Sequence, residues 1–515
     1  MNSGSGATTS IWMATSGIRV RPALTKDAVS DVCVVGAGIA GLTTAYLLAE
    51  QGRSVIVLDD GPIAGGETSR TTAHLVNALD DRYFELERLH GEKGARLAAE
   101  SHTAAIDRIE AIVAKEGIDC EFERLDGYLF VPPGESTDVL EKELAAAHRA
   151  GLTEISRVER APLKHFNSGP CLHFPKQAQF HPLKYLDAIS QAIEKRGGLI
   201  FTNTHAEGFK DGTPGQVKTS NGPVVSATAI VVATNTPVND WVEIHTKQAA
   251  YRTYVIGMNI PKGSVTKALF WDTPEPYHYV RLEDGAVHDV LIVGGEDHKT
   301  GQADDADIRF DRLESWTRER FPMAAKPELR WSGQVMEPVD GLAFIGRNPG
   351  DKNTYVATGD SGNGMTHGTI AGILLTDLIL GRKNSWKDLY DPSRISLRAA
   401  SDFAKENLNV VAQFGDYATA GDVDEEQKIE RGTGASMRHG LKKVAIYRDT
   451  QGALHRYSAI CPHLGCIVNW NHAEKTWDCP CHGSRFKVTG EVLGGPAEDP
   501  LKKLAEAQVE EHEHA

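Results

Sequence analysis

Short apolar runs separated by polar segments set the pattern of this chain. The longest of them are strand-like, such as Val32–Val35 and Val55–Leu58, and the residues between these two runs take helical spacing. Residues 31–59 therefore predict a strand–loop–helix–strand unit. No run reaches the roughly 18 apolar residues that a membrane-spanning helix needs, so we expect no membrane span.

The rest of the chain alternates between helical and strand patterns, and its 515 residues suit about three domains. We predict helices over 83–115, 184–195 and 395–408, a hairpin over 222–233 that ends in a buried strand, a β-rich segment over 246–300, a strand followed by a helix over 355–381, and a small β-rich module over 425–505. Polar or poorly periodic segments complete the division: a polar leader over 1–30, a linker with one packed helix over 383–424, and a tail over 506–515.

The charge balance and the cysteines narrow the functional classes. The chain has 55 Lys and Arg against 70 Asp and Glu, a net charge of −15, which disfavours binding to nucleic acid or to an acidic membrane surface. The N-terminus lacks the apolar segment of a secretory signal, so we expect a cytoplasmic protein. Four of the seven cysteines lie between Cys461 and Cys481. In a protein that is not secreted, such a cluster indicates metal or redox chemistry rather than a disulfide scaffold.

A glycine motif follows the first strand and consists of Gly36, Ala37, Gly38, Ile39, Ala40 and Gly41. Because it lies between a strand and a helix, with Asp59 at the end of the next strand, it predicts a dinucleotide site. The first glycine permits the tight turn, the second lets the backbone approach a pyrophosphate, and the third lets the helix pack closely on the strand. Asp59 would accept hydrogen bonds from the ribose hydroxyls. A glycine-rich turn without a ligand is the alternative interpretation.

Together with the segment GGETSRTTAHL, this motif resembles the glycine/D-amino-acid oxidase-like (DAO) family of FAD-dependent oxidoreductases. Later segments extend the resemblance: FHPLKYLDAI at 180–189, VVSATAIVVATN at 224–235, WSGQVMEPVDGLAFIG at 331–346 and YVATGDSGNGMTHGTIAG at 355–372. No second glycine fingerprint is present, which disfavours a reductase that also binds NAD(P)H.

The DAO resemblance covers about 31–382 and implies two interleaved parts. An α/β, Rossmann-like FAD-binding part would take about 31–80, 180–240 and 331–382. An α+β substrate part with an antiparallel sheet would take about 81–179 and 241–330. The implied FAD contacts are Gly36, Gly38, Ile39, Ala40, Gly41, Asp59, Ser69, Arg70, Thr71, Thr72, Gly359, Ser361, Gly362, Gly364, Met365 and Thr366.

Three residues differ from those of relatives in the DAO family, and they concern how the flavin is attached and whether it reacts with oxygen. Gly333 falls where sarcosine-oxidase members link the flavin through a cysteine, and Arg70 falls where some dehydrogenase members use a histidine. We therefore expect noncovalent FAD, with a covalent link through the nearby His74 as the alternative. Ile292 stands where the oxidases carry a lysine near the flavin. The resemblance thus favours a dehydrogenase over an oxidase.

The clustered cysteines belong to two loops, Cys461-Pro-His463-Leu-Gly-Cys466 and Cys479-Pro-Cys481-His482. Two thiolates and two imidazoles can hold a [2Fe–2S] cluster, and the spacing alone also allows a zinc site. The loops resemble those of Rieske domains, and Gly494-Gly495-Pro496 matches the third loop, which covers the cluster. This resemblance implies an all-β fold over 425–505, the iron ligands Cys461, His463, Cys479 and His482, and a disulfide between Cys466 and Cys481.

The Rieske resemblance also implies two residues that tune the cluster. Ser484 stands where a hydroxyl donates to a bridging sulfide, whereas Phe486 replaces the tyrosine of high-potential members. One hydrogen bond fewer to the sulfurs predicts a lower potential. The chain lacks the D-x2-H-x4-H signature of the mononuclear iron in Rieske oxygenases, which disfavours an oxygenase.

The DAO resemblance implies a substrate site on the β-rich middle segment. Its candidates for binding an amine and its carboxylate are Arg252, Tyr254, Tyr277, His278, Tyr279 and Arg281. An arginine can clamp a carboxylate with two hydrogen bonds. The alternative is structural, because aromatic residues that alternate along a strand often belong to a core, and Arg281 can form a surface pair with Glu283.

The two resemblances together imply a flavoenzyme that oxidises a small amine or amino-acid-like substrate by hydride transfer to FAD. The electrons would pass singly through the Rieske cluster to an external acceptor such as ferredoxin or a quinone. The first alternative is reverse flow, in which an external donor reduces FAD through the cluster for a reductive or oxygen-using reaction. The second is a redox sensor or electron-transfer module without enzymatic activity, which would lack an enclosed cavity beside the flavin.

Overall fold

The computed structural model describes residues 5–238, 244–440 and 442–505. Its helices are α1 (Ile11–Thr15), α2 (Ile39–Glu50), α3 (Tyr83–Glu116), α4 (Asp138–Arg149), α5 (Pro182–Lys195), α6 (Ala306–Arg320), α7 (Gly364–Ile379), α8 (Lys387–Tyr390) and α9 (Ala400–Gln413). The helices predicted over 83–115 and 184–195 are confirmed, although Gly91 interrupts α3 with a non-helical φ of 74°. The helix predicted over 395–408 begins later, because a 3₁₀ turn at Leu397–Ala399 precedes α9. None of the helices in the described part of the chain combines the length and the apolar character that a membrane crossing needs.

The strands form four sheets. In chain order they are β1 (Ala28–Val35), β2 (Val55–Leu58), β3 (His74–Leu75), β4 (Glu123–Phe130), β5 (Ser156–Val158), β6 (Cys171–Gln179), β7 (Leu199–Phe201), β8 (Ala206–Lys210), β9 (Gly215–Thr219), β10 (Val224–Asn235), β11 (Gln248–Pro261), β12 (Leu269–Asp272), β13 (His278–Glu283), β14 (His288–Lys299), β15 (Pro327–Pro338), β16 (Phe344–Arg347), β17 (Thr354–Thr358), β18 (Thr433–His439), β19 (Lys442–Arg448), β20 (Leu454–Ser458), β21 (Asn469–Asn471), β22 (Thr476–Asp478), β23 (Arg485–Lys487) and β24 (Val492–Gly494).

The first sheet is largely parallel, with the order β16-β17-β10-β1-β2-β7 and the hairpin of β8 and β9 attached to β10. Val32–Val35 is buried and pairs with β2 on one side and β10 on the other, which explains its continuous apolar run. Helix α2 packs on this sheet at Gly41, where a Cβ atom would collide with the carbonyl oxygen of Gly36. The predicted strand–loop–helix–strand unit is therefore confirmed, with a close approach that only glycine allows.

The second sheet has nine strands in the order β15-β11-β14-β13-β12-β4-β6-β3, with β5 attached to β6. Its described pairs are antiparallel except for β12 with β4. Helix α6 packs against β11 and β14. The segment 246–300, predicted to be β-rich, supplies four of these strands. The chain thus has the predicted α/β part with an interleaved antiparallel sheet.

The C-terminal module is all-β and consists of the sheets β18-β19-β20 and β21-β22-β23-β24. Its core is built around Trp477 and Phe486, which are fully buried, and Trp470. The two cysteine-bearing loops lie between β20 and β21 and between β22 and β23. Paired strands flank both loops. The first loop follows β20, which pairs with β19, and the second connects β22 with its partner β23.

The segment predicted as a polar leader over 1–30 packs, in its described residues, against the FAD part. Trp12 is fully buried, and its Nε1 donates a hydrogen bond to the carbonyl of Thr71 at 2.6 Å. Strand β1 begins at Ala28 rather than at Asp31. Within the linker, Tyr390 is buried and its hydroxyl lies 2.7 Å from Ser101 Oγ. The tail predicted over 506–515 lies outside the described residues.

Candidate functional site

A cavity of about 540 Å³ is lined by residues of both large sheets. The glycine motif and Asp59 form one wall, and residues 64–76 and 357–371 contribute others. The cavity thus lies at the carboxyl ends of β1 and β2, where open α/β sheets bind their ligands. A further wall comes from Val492–Gly495 of the C-terminal module.

The glycine motif forms a cradle for a pyrophosphate. Gly36 has a φ of +104°, and a Cβ atom on it would collide with the carbonyl of Ala233. Gly38 caps the N-terminus of α2, where backbone N–H groups are available to an anion. Of the predicted contacts in this region, Gly36, Gly38, Ile39, Ala40 and Asp59 line the cavity. Gly41 does not, because it is the packing contact between helix and turn.

Asp59 lies at the end of β2 and faces the cavity. Its Oδ2 accepts a hydrogen bond from Ala37 N at 2.7 Å, and its Oδ1 accepts one from Gly61 N at 2.9 Å. Burial raises the pKa of Asp59 to about 7. A carboxylate in this position can accept hydrogen bonds from a ribose, the role predicted for it.

The remaining predicted FAD contacts divide into residues of the cavity wall and residues behind it. The wall contains Arg70, Thr71, Thr72, Gly359, Gly362, Gly364 and Met365. Ser69, Ser361 and Thr366 are not in the wall. Their hydroxyls bond the loops internally, to the carbonyl of Gly66, to the Asp81 carboxylate and to the carbonyl of Asn363, respectively. Sequence reasoning missed Thr204–Glu207, a segment that follows the parallel strand β7 and also lines the cavity.

The structure locates the residues that bear on covalent attachment of the flavin and on its reaction with oxygen. Gly333 and His74 both line the cavity. Ile292 is not in the cavity wall and is buried in the hydrophobic core. Among the described residues that line the cavity, none is a lysine. The case against a lysine near the flavin therefore rests on the cavity wall and not on Ile292.

The substrate candidates fall into two groups. Tyr277 and Tyr279 line the cavity, whereas Arg252, Tyr254 and Arg281 do not. The Arg281 guanidinium is fully buried and donates to the carbonyls of Thr72, Ala73 and Phe180. Its contact with Glu283 is buried as well, so it is not a surface pair.

The other two candidates, together with His278, serve the packing of the middle strands. Tyr254 is buried and packs edge-on against Phe310 of α6. His278 Nδ1 lies 2.9 Å from Asp272 Oδ2. Arg252 Nη1 donates to Ser332 Oγ at 2.8 Å, on the side that faces the C-terminal module. His278 alternates with Tyr277 and Tyr279 along the chain and so faces the opposite side of the sheet, whereas Arg281 shares the face of Tyr279 but lies two residues farther on, where it donates to backbone carbonyls.

The C-terminal loops bring the four predicted iron ligands together. The thiols of Cys461 and Cys479 lie within hydrogen-bond distance of each other, and the rings of His463 and His482 are 5.1 Å apart. In the described part of the chain, Nδ1 of His482 is buried without a hydrogen-bond partner. Two adjacent thiols and a buried imidazole nitrogen without a partner fit a [2Fe–2S] cluster.

Cys466 and Cys481 form a disulfide between the two loops. Sulfur atoms of Cys466, Cys479 and Cys481 all lie within 4.8 Å of one another, a spacing that a metal site can also have. Because two of these three sulfurs are bonded to each other, they are not available as thiolate ligands. Ser484 lies within hydrogen-bond distance of Cys461, and its Oγ accepts a bond from Ala497 N at 3.1 Å. Phe486 is fully buried in the core of the module.

The ligand loops contact the wall of the cavity. Nε2 of Gln334, a residue of that wall, donates to the carbonyl of Gly483 at 3.0 Å. Gly483 directly follows the predicted ligand His482. On the neighbouring side, the rings of His463 and His245 lie 5.3 Å apart. One residue, Gln334, therefore contacts both the cavity and the loop that carries His482.

A buried group of charges joins the C-terminal module to the cavity wall. Arg70 Nη1 lies 3.0 Å from Glu474 Oε1, and both side chains are 0% exposed. The Arg252 guanidinium lies 3.8 Å from Asp478, and Arg485 lies 3.3 Å from the same carboxylate. Sequence reasoning missed this group, since Glu474 and Asp478 carry no local signal that links them to arginines far away in the chain.

We expect the purified protein to hold FAD noncovalently and to contain about two irons per chain. Gly333 offers no side chain for a covalent link to the flavin, and the chain has one complete set of ligands for a [2Fe–2S] cluster. Acid precipitation should release the flavin into the supernatant, and metal analysis should find iron. Flavin retained in the pellet would contradict the noncovalent assignment, and zinc in place of iron would contradict the ligand assignment.

The comparisons with known proteins agree with this geometry. Residues 31–378 match the family described as "FAD dependent oxidoreductase" (DAO), and residues 419–505 match the Rieske [2Fe-2S] domain. The chain is 31% identical over 499 residues to the "Putative Rieske 2Fe-2S iron-sulfur protein YhfW" of Bacillus subtilis, covering 96% of this chain and 97% of that protein. It is 27% identical to the gamma-glutamylputrescine oxidoreductase of Escherichia coli, over 72% of this chain and 89% of that protein.

A solved structure supports the fold of the larger part. The glycine oxidase from Geobacillus kaustophilus superposes with a TM-score of 0.61 at 16% identity, covering 72% of this chain and 99% of that one. At this identity the likeness shows the fold alone. The predicted α/β architecture with an interleaved antiparallel sheet is confirmed, and the cofactors are FAD and a Rieske [2Fe–2S] cluster.

Proposed function

Because the chain belongs to the DAO family of FAD-dependent oxidoreductases and carries a fused Rieske domain, we propose that it oxidises a small amine and transfers the electrons singly through its own cluster to an external acceptor. One observation carries the proposal. The segment Val492–Gly495 of the Rieske domain forms part of the wall of the FAD cavity, and the loop that carries His482 contacts another wall residue through the bond from Gln334 to Gly483.

The residues that would hold each cofactor are separate and complete. The glycine cradle, Asp59 and the segment Gly359–Met365 would bind FAD, and Cys461, His463, Cys479 and His482 would bind the cluster. When bound, FAD accepts a hydride from a carbon next to nitrogen, and the cluster carries one electron at a time. These two capacities match the two-electron and one-electron halves of the proposed reaction.

The chain's own residues shape the space in which the amine would lie. Trp271, Tyr277 and Tyr279 line the cavity. The Tyr277 hydroxyl donates to Asp80 Oδ2 at 2.9 Å, which orients both groups. Gly494 and Gly495 close the cavity on the side of the cluster. These contacts position a substrate and leave the redox chemistry to the cofactors.

A dehydrogenase is favoured within this proposal, because the described cavity wall contains no lysine and a one-electron carrier lies next to it. The aromatic residues Trp271, Tyr277 and Tyr279 in the cavity wall favour an enzyme that binds a substrate over a redox sensor that binds none. No observation favours reverse electron flow, which the following experiment distinguishes.

The experiment is an anaerobic screen of small amines and amino acids against the full-length protein. We expect at least one amine to bleach the flavin absorbance. In air, turnover should reduce an artificial one-electron acceptor while yielding little hydrogen peroxide. Peroxide equal to the substrate consumed would show an oxidase. Bleaching by reduced ferredoxin but by no amine would show reverse flow.

A further inference from the structure

The substrate side of the cavity offers no clamp for a carboxylate. Among the described residues of the wall, the one arginine is Arg70, whose guanidinium donates to Ser332 O and Glu474 on the side of the C-terminal module. Two other arginines lie nearby but outside the wall. Arg82 donates to the carbonyls of Leu79 and Asp272, and Arg309 is paired with Asp305.

Asp80 and Asp297 are among the acidic residues that line the cavity, which Tyr277 and Tyr279 also line. Asp80 accepts a hydrogen bond from Tyr277 at 2.9 Å. In the described chain, Oδ1 of Asp297 is buried and has no hydrogen-bond partner. Burial raises the pKa of Asp297 to about 7 and raises that of Asp80 as well. Buried acids of this kind gain most from a cation placed between them.

Aromatic rings surround the same space. The rings of Tyr277 and Tyr279 are 5.5 Å apart, and Tyr279 is fixed by a 2.7 Å hydrogen bond between its hydroxyl and Thr253 Oγ1. His74 lies 5.8 Å from Tyr279 and 6.0 Å from Trp271. All these residues line the cavity. Aromatic faces next to carboxylates form the environment in which proteins bind alkylammonium groups.

From this arrangement we propose that Asp80 and Asp297, with the rings of Trp271, Tyr277 and Tyr279, form an ammonium-binding site. The proposal rests on the amine oxidation proposed above and names its substrate class: an amine with a second, cationic amino group and no carboxylate. The second nitrogen carries the charge, because the nitrogen next to the oxidised carbon must be uncharged to release a hydride. An amino acid would bring its carboxylate against two acids, which disfavours it.

The test measures binding to the oxidised, FAD-loaded full-length protein, without turnover. Three four-carbon probes carry different charges: butylammonium is a cation, 1-butanol is neutral and butanoate is an anion. Their dissociation constants can be obtained from the change in flavin absorbance or by calorimetry at about pH 8, where the amine is protonated and the carboxylates are ionised. We expect butylammonium to bind about tenfold more tightly than butanol, and butanoate to bind most weakly.

The variant Asp297→Asn should weaken butylammonium binding by about tenfold and leave butanol binding unchanged. Asp80→Asn serves as the second variant if the first does not retain FAD. The control is Asp126→Asn, an exposed position on β4 outside the cavity, which should change nothing. Butanoate binding as tightly as butylammonium, or unchanged ammonium binding in an aspartate variant that retains FAD, would overturn the proposal.

A comparison of two oxidation candidates separates this proposal from the proposed function. Under anaerobic conditions, 1,4-diaminobutane should bleach the flavin faster than 4-aminobutanoate, which carries a carboxylate in place of the second amine. Binding of butylammonium without bleaching by any amine would leave the ammonium site standing and refute amine oxidation. Faster bleaching by 4-aminobutanoate would refute the ammonium site and leave amine oxidation standing.

Discussion

Replacing Glu474 by glutamine should lower the free energy of unfolding by about 3 kcal/mol at neutral pH, because it removes one partner of a buried ion pair. The Glu474 carboxylate pairs with Arg70, and neither side chain is exposed. It also accepts hydrogen bonds from Thr8 of the leader and from Ser332. Glutamine preserves the shape of the side chain but leaves the Arg70 guanidinium buried without a neutralising charge. Because this pair joins the Rieske domain to the FAD part, the substitution should also weaken the contact between the two.

The dependence of this effect on pH follows from the pKa of Glu474. Burial acts to raise it, but Arg70, Arg252 and Arg485 outweigh burial and hold the pKa at about 2. A carboxyl with a lowered pKa in the folded state contributes stability above its unfolded pKa of about 4.3 and loses it as the pH falls toward 2. The difference in the free energy of unfolding between wild type and Glu474→Gln should therefore shrink as the pH falls from about 4.3 toward 2.

Denaturant unfolding at several pH values measures both effects. The matched control is Glu154→Gln, since Glu154 pairs with Lys176 on the surface and the two side chains are 62% and 70% exposed. That substitution should change stability by no more than about 0.5 kcal/mol. Equal stability losses in the two variants would contradict the role assigned to the buried pair.

The second large effect concerns the cluster. We expect Cys461→Ser to abolish the iron–sulfur centre and reduce the rate of electron delivery to an external acceptor by about 100-fold or more, while FAD binding and flavin reduction persist. The reason is that Cys461 is one of two thiols that the loops bring together, whereas the FAD cradle is built from other residues. Iron analysis, EPR of the reduced protein and acceptor assays give the three readouts.

Cys466→Ser is the matched comparison, because Cys466 lies five residues away in the same loop but forms the disulfide with Cys481. The disulfide closes a segment with a sequence separation of 15 and stabilises the loops by about 3 kcal/mol. This variant should assemble the cluster and lose it more readily on heating. Complete loss of iron from a folded Cys466→Ser protein would show that the ligand assignment is wrong.

Local motifs explain why much of the site could be predicted from the sequence. The glycine motif and Asp59 lie within one βαβ unit, and each pair of iron ligands lies within four residues, so their spacing alone fixes their relative positions. The strands over 246–300 likewise follow from alternation of apolar and polar residues. In each case the physical determinant is contained in a short segment.

Residues whose roles depend on distant partners could not be assigned in this way. Arg252 and Arg281 were predicted as candidates to bind a substrate carboxylate, but Arg252 donates to Ser332 and Arg281 donates to the backbone carbonyl of Thr72, both distant in the chain. The sequence around Asp297 does not indicate a binding site, because only the folded chain brings Asp297 and Asp80 into the wall of one cavity. The composition of the leader predicts only a polar segment, because the partner of Thr8, Glu474, lies more than 400 residues later in the chain.

In the proposed reaction, electrons pass from the flavin to the cluster within one chain. A single-turnover reaction of the anaerobic full-length protein with an amine that bleaches the flavin, followed by stopped-flow absorbance and freeze-quench EPR of the cluster, tests this transfer. We expect the cluster to be reduced after the flavin, at a rate that does not change with protein concentration. A cluster that stays oxidised while the flavin is reduced, or a rate proportional to protein concentration, would contradict it.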